Sequence, residues 1–140
     1  MTTALNAAEL QQRLALSPFI NFLAPEVTQA DAETGQVTMR ISMRPEFERL
    51  AGSGQFHGGV IAALIDTVGD YALIAQLGVG VPTINFSTDF LRPATGPTLE
   101  AVARIRRNGR TVGIVDIDVF DARGVLVAVG RGCYATQVHK

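Results

Sequence analysis

The spacing of apolar and polar positions sorts the chain into a short helix, two strands, one long apolar helix and four further strands. Val37, Met39, Ile41 and Met43 alternate with Thr38, Arg40 and Ser42, the period-two pattern of a strand buried on one face. Strands are expected over residues 26–32 and 36–43, around a turn at Glu33-Thr34-Gly35. Ahead of them, Leu10, Leu14 and Leu16 among polar residues predict a weakly amphipathic helix over residues 7–16. Asn6 is placed to cap it, with Glu9 as the return half of a capping box, and Ser17-Pro18 stops it. Residues 45–56 are polar and irregular.

Val60, Ile61, Leu64, Ile65, Val68, Ala72 and Ile74 then predict a helix that is apolar almost all round, which belongs inside the molecule. Gly78-Val79-Gly80 ends it. Strands follow over residues 83–91, 98–107, 111–120 and 125–136. Asn108-Gly109, between two alternating runs, is a strong hairpin signal. Strands grouped apart from the helices mean an α+β fold, and the simplest packing lays one antiparallel sheet against the central helix.

Composition narrows the function classes. With 140 residues, 47% of them hydrophobic, the chain suits one domain with a real core, and residues 1–23 form a helical extension to it. Cys133 is the only cysteine, so neither an internal disulfide nor a zinc cluster is expected, and a reducing, cytoplasmic setting fits. Residues 1–6 lack the pattern of a secretory signal. The apolar run at 60–81 is interrupted by Asp66, Asp70 and Gln76, which suits a core helix better than a membrane span. A net charge of −1 argues against a nucleic-acid binder. Arginine nevertheless dominates the cations, and Arg104, Arg106, Arg107 and Arg110 fall within seven positions.

Chemistry concentrates at the apolar helix. His57-Gly58-Gly59 places two residues without a Cβ where the helix begins. The first amides of a helix lack internal partners and carry partial positive charge, so a carbonyl oxygen or oxyanion is well received there. Asp66 lies nine residues after His57, among Ala63, Leu64, Ile65, Thr67 and Val68. Burial among such neighbours is expected to raise its pKa and help it accept a proton near neutrality. Asp70 follows one turn later on the same face, and like charges at that spacing repel. One of the two is then partly protonated or aimed at a distinct partner. Each feature has a plain structural alternative: a turn and a helix start, a hydrogen-bond acceptor, a solvated carboxylate.

Taken together these residues resemble the hotdog-fold thioesterases, in particular the PaaI-like acyl-CoA thioesterases of the phenylacetic-acid-degradation type. The matching segments are Gly54-Gln55-Phe56-His57-Gly58-Gly59, the helix with Ala62-Ala63-Leu64-Ile65-Asp66-Thr67, then Asp89-Phe90-Leu91-Arg92-Pro93-Ala94, and Asn108-Gly109-Arg110. The resemblance spans residues 24–136. It implies a curved antiparallel sheet around one long helix, dimers that pair sheets edge to edge, their assembly into tetramers, and active sites between protomers. It implies an acyl-CoA thioester as substrate and partner, with coenzyme A as part of the substrate and no other cofactor, metal, nucleic acid or membrane.

By the same resemblance Asp66 is the catalytic carboxylate, as general base or as nucleophile. Gly59 supplies the amide that polarises the thioester carbonyl, His57 orients the site, and Thr83 helps to hold the water. Gly58, Phe56, Asp70, Arg92, Arg107, Asn108, Gly109 and Arg110 are expected to contact substrate, because arginine forks match phosphate oxygens. Phe19, Phe22, Phe47, Leu50, Phe56 and the Tyr71 side of the helix are candidates for the acyl pocket or the core. One departure is Ala51, where relatives often carry Asn; Ser53 or Gln55 is the candidate substitute. The alternatives are a non-catalytic acyl-CoA binder and a hotdog dehydratase or hydratase. The latter would want an Asp five residues before the histidine, where Gly52 stands.

Overall fold

A computed structural model describes residues 4–137; the rest of the expected domain, 1–3 and 138–140, lies outside the described residues. Two short helices lead, α1 (Ala7–Leu14) and α2 (Pro18–Leu23). Strands β1 (Glu26–Asp31) and β2 (Gln36–Ser42) follow, then a 3-10 turn at Pro45–Phe47 and the long helix α3 (Gly58–Leu77). Strands β3 (Thr83–Phe90), β4 (Thr98–Asn108), β5 (Val112–Asp121) and β6 (Leu126–Ala135) complete the chain. All six strands form one antiparallel sheet in the order β1-β2-β4-β5-β6-β3. The α+β reading and the single sheet on a central helix hold.

The period-two pattern explains the register. Gly113, Val115, Ile117, Val119 and Asp121 of β5 are buried and alternate with partly exposed neighbours. Val115, Ile117 and Val119, together with Val37, Met39 and Ile41 of β2 and Leu99, Ala101 and Ala103 of β4, make one apolar face. Against it lie Ile61, Leu64, Ile65, Val68, Ala72 and Leu73 of α3. Burying each such Val, Leu, Ile or Met side chain contributes about 1.5–3 kcal/mol, so this layer dominates stability. Among the described residues α3 is the helix long and apolar enough to cross a membrane, yet most of it is buried as the core helix.

Three local expectations are corrected. Ser17-Pro18 does not merely stop α1; it starts α2. Ser17 Oγ accepts from the Ile20 amide at 3.3 Å, and Pro18 occupies the first helical position, where its missing N–H is no loss. α1 accordingly ends at Leu14. The third correction is at the hairpin. Asn108 is the last residue of β4, paired with Gly113, and the connection runs through residues 109–111 rather than a two-residue Asn-Gly turn. Gly109 has no positive φ; it is needed because a Cβ there would stand 2.5 Å from the Val112 oxygen.

The order of strands leaves β3 at one edge of the sheet. Its inner face depends on glycine in its neighbour: a Cβ on Gly130 of β6 would lie 2.7 Å from Ile65 Cγ2 and 2.9 Å from the Ser87 oxygen. Gly130→Ala is therefore expected to destabilise the fold by about 1–3 kcal/mol in urea denaturation, through forced displacement of β3 and α3. An unchanged midpoint would contradict this packing.

Candidate active site

The start of α3 is built by its own cap. His57 has extended backbone dihedrals, and its imidazole Nδ1 accepts from the Gly59 amide at 2.8 Å. Its own amide donates to the Phe47 oxygen at 2.8 Å, which seats the helix start on the 3-10 turn. An accepting Nδ1 places the ring proton on Nε2. The amide expected to polarise a carbonyl, that of Gly59, is thus occupied by the imidazole. Gly58, the first helical residue, carries an amide with no acceptor among the described residues.

A cavity of about 480 Å³ opens beside this helix start. Phe56, Gly58, Ile61, Phe90 and Ala94 form its apolar wall, and Arg49 and Arg92 line it as well. A Cβ on Gly58 would sit 3.4 Å from the Phe90 ring, in ordinary van der Waals contact. The preceding loop is held by Glu48, whose carboxylate accepts from the Gly52 and Gly54 amides at 3.2 and 2.7 Å. Gly52 and Gly54 both have positive φ there. Ala51 is exposed on this loop. Of its candidate substitutes, Ser53 caps the Gln55 amide, and Gln55 takes the Arg49 guanidinium at 2.9 and 3.0 Å.

Asp66 lies seven residues beyond Gly59, about 10 Å further along the helix axis. Its Oδ1 accepts from Thr83 Oγ1 at 2.9 Å, so the start of edge strand β3 and the middle of α3 meet at this pair. The Tyr134 hydroxyl donates to the Asp66 backbone oxygen at 3.2 Å. Asp70 is largely buried with Oδ1 unpartnered, and its carboxyl is pushed up to about 7 by desolvation first and by the charge of Asp66 second. The expected repulsion between the two carboxylates is therefore met by Asp70 holding its proton.

The remaining expected site residues divide. Phe56, Gly58 and Arg92 line the cavity. Asn108 donates to Gln76 Oε1 at 2.8 Å, which ties Arg107, Asn108, Gly109 and Arg110 to the far end of α3, about 27 Å from Gly58 along the axis. One protomer does not bring them to the helix start. Phe47 is buried in the core, with the Arg44 guanidinium 4.1 Å above its ring and 4.4 Å from that of Phe22. Phe19, Phe22 and Leu50 are exposed and stand outside the cavity lining, and Tyr71 is buried. Arg49 and Tyr134 were missed. Nothing in their spacing marked Arg49, whereas the glycines at 69 and 132 were a readable sign of a large side chain needing room.

Among the described residues no group of three or more His, Cys, Asp or Glu is placed to hold a metal ion. Asp70 has a direct consequence for stability. Its ordinary pKa is 3.8 and its folded value is about 7, so the folded state binds the proton more tightly. The contribution of this group to stability is then largest below about pH 4 and is lost as pH rises through 7. Asp70→Asn removes this loss. The variant should melt above wild type at pH 8, with the gap closing towards pH 4, in thermal denaturation followed by circular dichroism.

Comparison with known proteins places this arrangement. A family model described as Thioesterase superfamily matches residues 53–128. The chain is 37% identical to a candidate esterase of Halobacterium salinarum, over 91% of this chain and 90% of that protein. It is 32% identical to the acyl-coenzyme A thioesterase PaaI of Escherichia coli, over 79% of this chain and 76% of PaaI. The solved structure of the E. coli PaaI protein superposes with a TM-score of 0.78 at 26% identity, covering 90% of this chain and 88% of that one. A phenylacetic-acid-degradation-related candidate thioesterase from Ralstonia eutropha gives a TM-score of 0.79 at 28% identity, covering 91% and 97%. The chain belongs to the thioesterase superfamily, as a PaaI-like hotdog thioester hydrolase.

Proposed function

We propose that the chain hydrolyses an acyl-coenzyme A thioester, with an aryl or a short- to medium-chain acyl group, at a site completed by two protomers. The observation that carries this reading is the Asp66–Thr83 hydrogen bond at the open edge of the sheet. Thr83 donates to Oδ1, which leaves Asp66 Oδ2 to take a proton from water. That division of labour favours general base over direct nucleophilic attack. Water adds to the thioester carbon, and charge gathers on its oxygen. The oxygen meets a helix start, where Gly58 offers its amide and Gly59 offers another once the imidazole of His57 gives way. The intermediate collapses, the C–S bond breaks, and the proton passes from Asp66 to the departing thiolate.

One helix cannot serve both roles. Gly59 and Asp66 stand about 10 Å apart along one axis, and a single carbonyl with its attacking water spans far less. A second copy is the natural supplier. β3 is an edge strand with Ile84 and Phe90 more than half exposed, a ready template for strand pairing. Antiparallel pairing of two β3 strands about a two-fold axis would turn one helix start towards the partner's Asp66. It would also carry the Arg107–Arg110 hairpin towards the partner's cavity, where Arg49 and Arg92 already stand. Phosphates of coenzyme A suit such guanidinium groups. We further propose that such dimers assemble into a homotetramer, as the family resemblance implies, in a cytoplasmic setting that suits the free Cys133.

Two experiments test this reading. On a panel of benzoyl-, phenylacetyl- and hexanoyl-CoA, with released thiol as the signal, Asp66→Asn should lower kcat by about 10²–10⁴-fold with little change in KM. A wild-type protein that binds these thioesters without turning them over would instead be a binding protein. Ile84→Lys should convert the oligomer to monomer in sedimentation and abolish hydrolysis while leaving the far-ultraviolet circular dichroism intact.

A further inference from the structure

Tyr134 occupies a slot made by the absence of two side chains. It is fully buried in β6. A Cβ on Gly69 of α3 would stand 2.3 Å from its hydroxyl oxygen, and a Cβ on Gly132 of β6 itself 2.2 Å from the same atom. Glycine weakens the interior of a helix and of a strand alike, so both positions give up local stability to admit this phenol. At the end of the slot the hydroxyl donates to the Asp66 backbone oxygen at 3.2 Å. That oxygen already closes the helical turn to the Asp70 amide, so the carbonyl does not need a second donor.

What the phenol reaches matters more. Tyr134 is the direct β-pairing partner of Thr83, and Thr83 holds Asp66 Oδ1. The backbone of Asp66 is thus tied to β6, and its side chain to the adjacent residue of β3. We propose that Tyr134 is a positioning residue, whose hydroxyl sets the height of α3 over the sheet at Asp66 and so aligns the carboxylate with Thr83. This rests on the hydrolytic role proposed for Asp66. The groups that bear on the phenol are Asp66 and Asp70 from α3 and Cys133 beside it. Burial, then these charges, raise its pKa far above neutrality, so it stays a donor throughout the working range.

Tyr134→Phe keeps the ring and removes the donor. The expected result is a fall in kcat of about tenfold per folded molecule, with KM within twofold and the urea midpoint little changed. An unchanged kcat overturns the proposal. Gly69→Ala supplies the second arm. Alone, its methyl meets the hydroxyl; with Tyr134→Phe the nearest ring carbon is 3.2 Å away. The double variant should regain stability relative to Gly69→Ala while its kcat stays at the Tyr134→Phe level. Recovery of wild-type kcat in the double variant also overturns it.

A readout without turnover separates this from the parent reading. The ¹³C carboxyl resonance of Asp66 should shift in Tyr134→Phe relative to wild type. If wild type hydrolyses no CoA thioester, the hydrolytic reading fails, and this resonance still decides the tether: no change means that Tyr134 does not position Asp66.

Discussion

Packing an apolar helix against a sheet leaves a polar side chain few places to go: the helix ends, and the stripe that looks towards an unpaired sheet edge. α3 obeys that constraint. Its start carries His57, Gly58 and Gly59, its end carries Gln76, and between them Asp66 leans out to Thr83 on edge strand β3. The chemistry of the site follows from where the core permits polarity. A carboxylate facing β4 or β5 would meet Leu99, Ala101 or Ile117 and no donor.

The same constraint accounts for the glycines and for the unusual proton. Close approach between α3 and β6 is made at Gly130, which Ile65 of α3 crowds, and at Gly69 of α3, which the Tyr134 hydroxyl crowds. Asp70 sits one turn beyond Asp66 on that stripe with no donor for Oδ1, and burial first and the charge of Asp66 second push its pKa up to about 7. Of the two carboxyls on this face, Asp66 reaches a hydroxyl at the sheet edge and Oδ1 of Asp70 reaches no donor.

The length of α3 sets the scale of the proposed assembly. A helix of 20 residues puts its amide-rich start, its carboxylate and its far hairpin at three separate levels. Residues that are close in sequence, such as Gly59 and Asp66, are then too far apart to act on one carbonyl, and the exposed edge of β3 is where a second chain would bring them together. The imidazole of His57 meanwhile occupies the Gly59 amide, which keeps that amide satisfied and leaves the Gly58 amide open.

Much of this was legible in the residues themselves. Alternation in β2 and β5, the all-round apolar pattern of α3 and the His-Gly-Gly start are local signals, and local sterics and periodicity are enough to read them. They determined an α+β fold with one central helix, and they marked Asp66 as the carboxylate in the apolar helix. What the sequence could not rank was depth and reach. What Asp66 reaches and how deeply Asp70 is buried depend on the packed sheet, and Thr83, which meets Asp66, lies 17 residues later in the chain. Whether Arg92 and the hairpin arginines share a site depends on which end of the helix each loop caps. Tyr134 sits 68 residues from Asp66 and meets it only because β6 pairs beside β3. Periodicity reports which face a residue shows; only the packed sheet and helix decide what stands across from it.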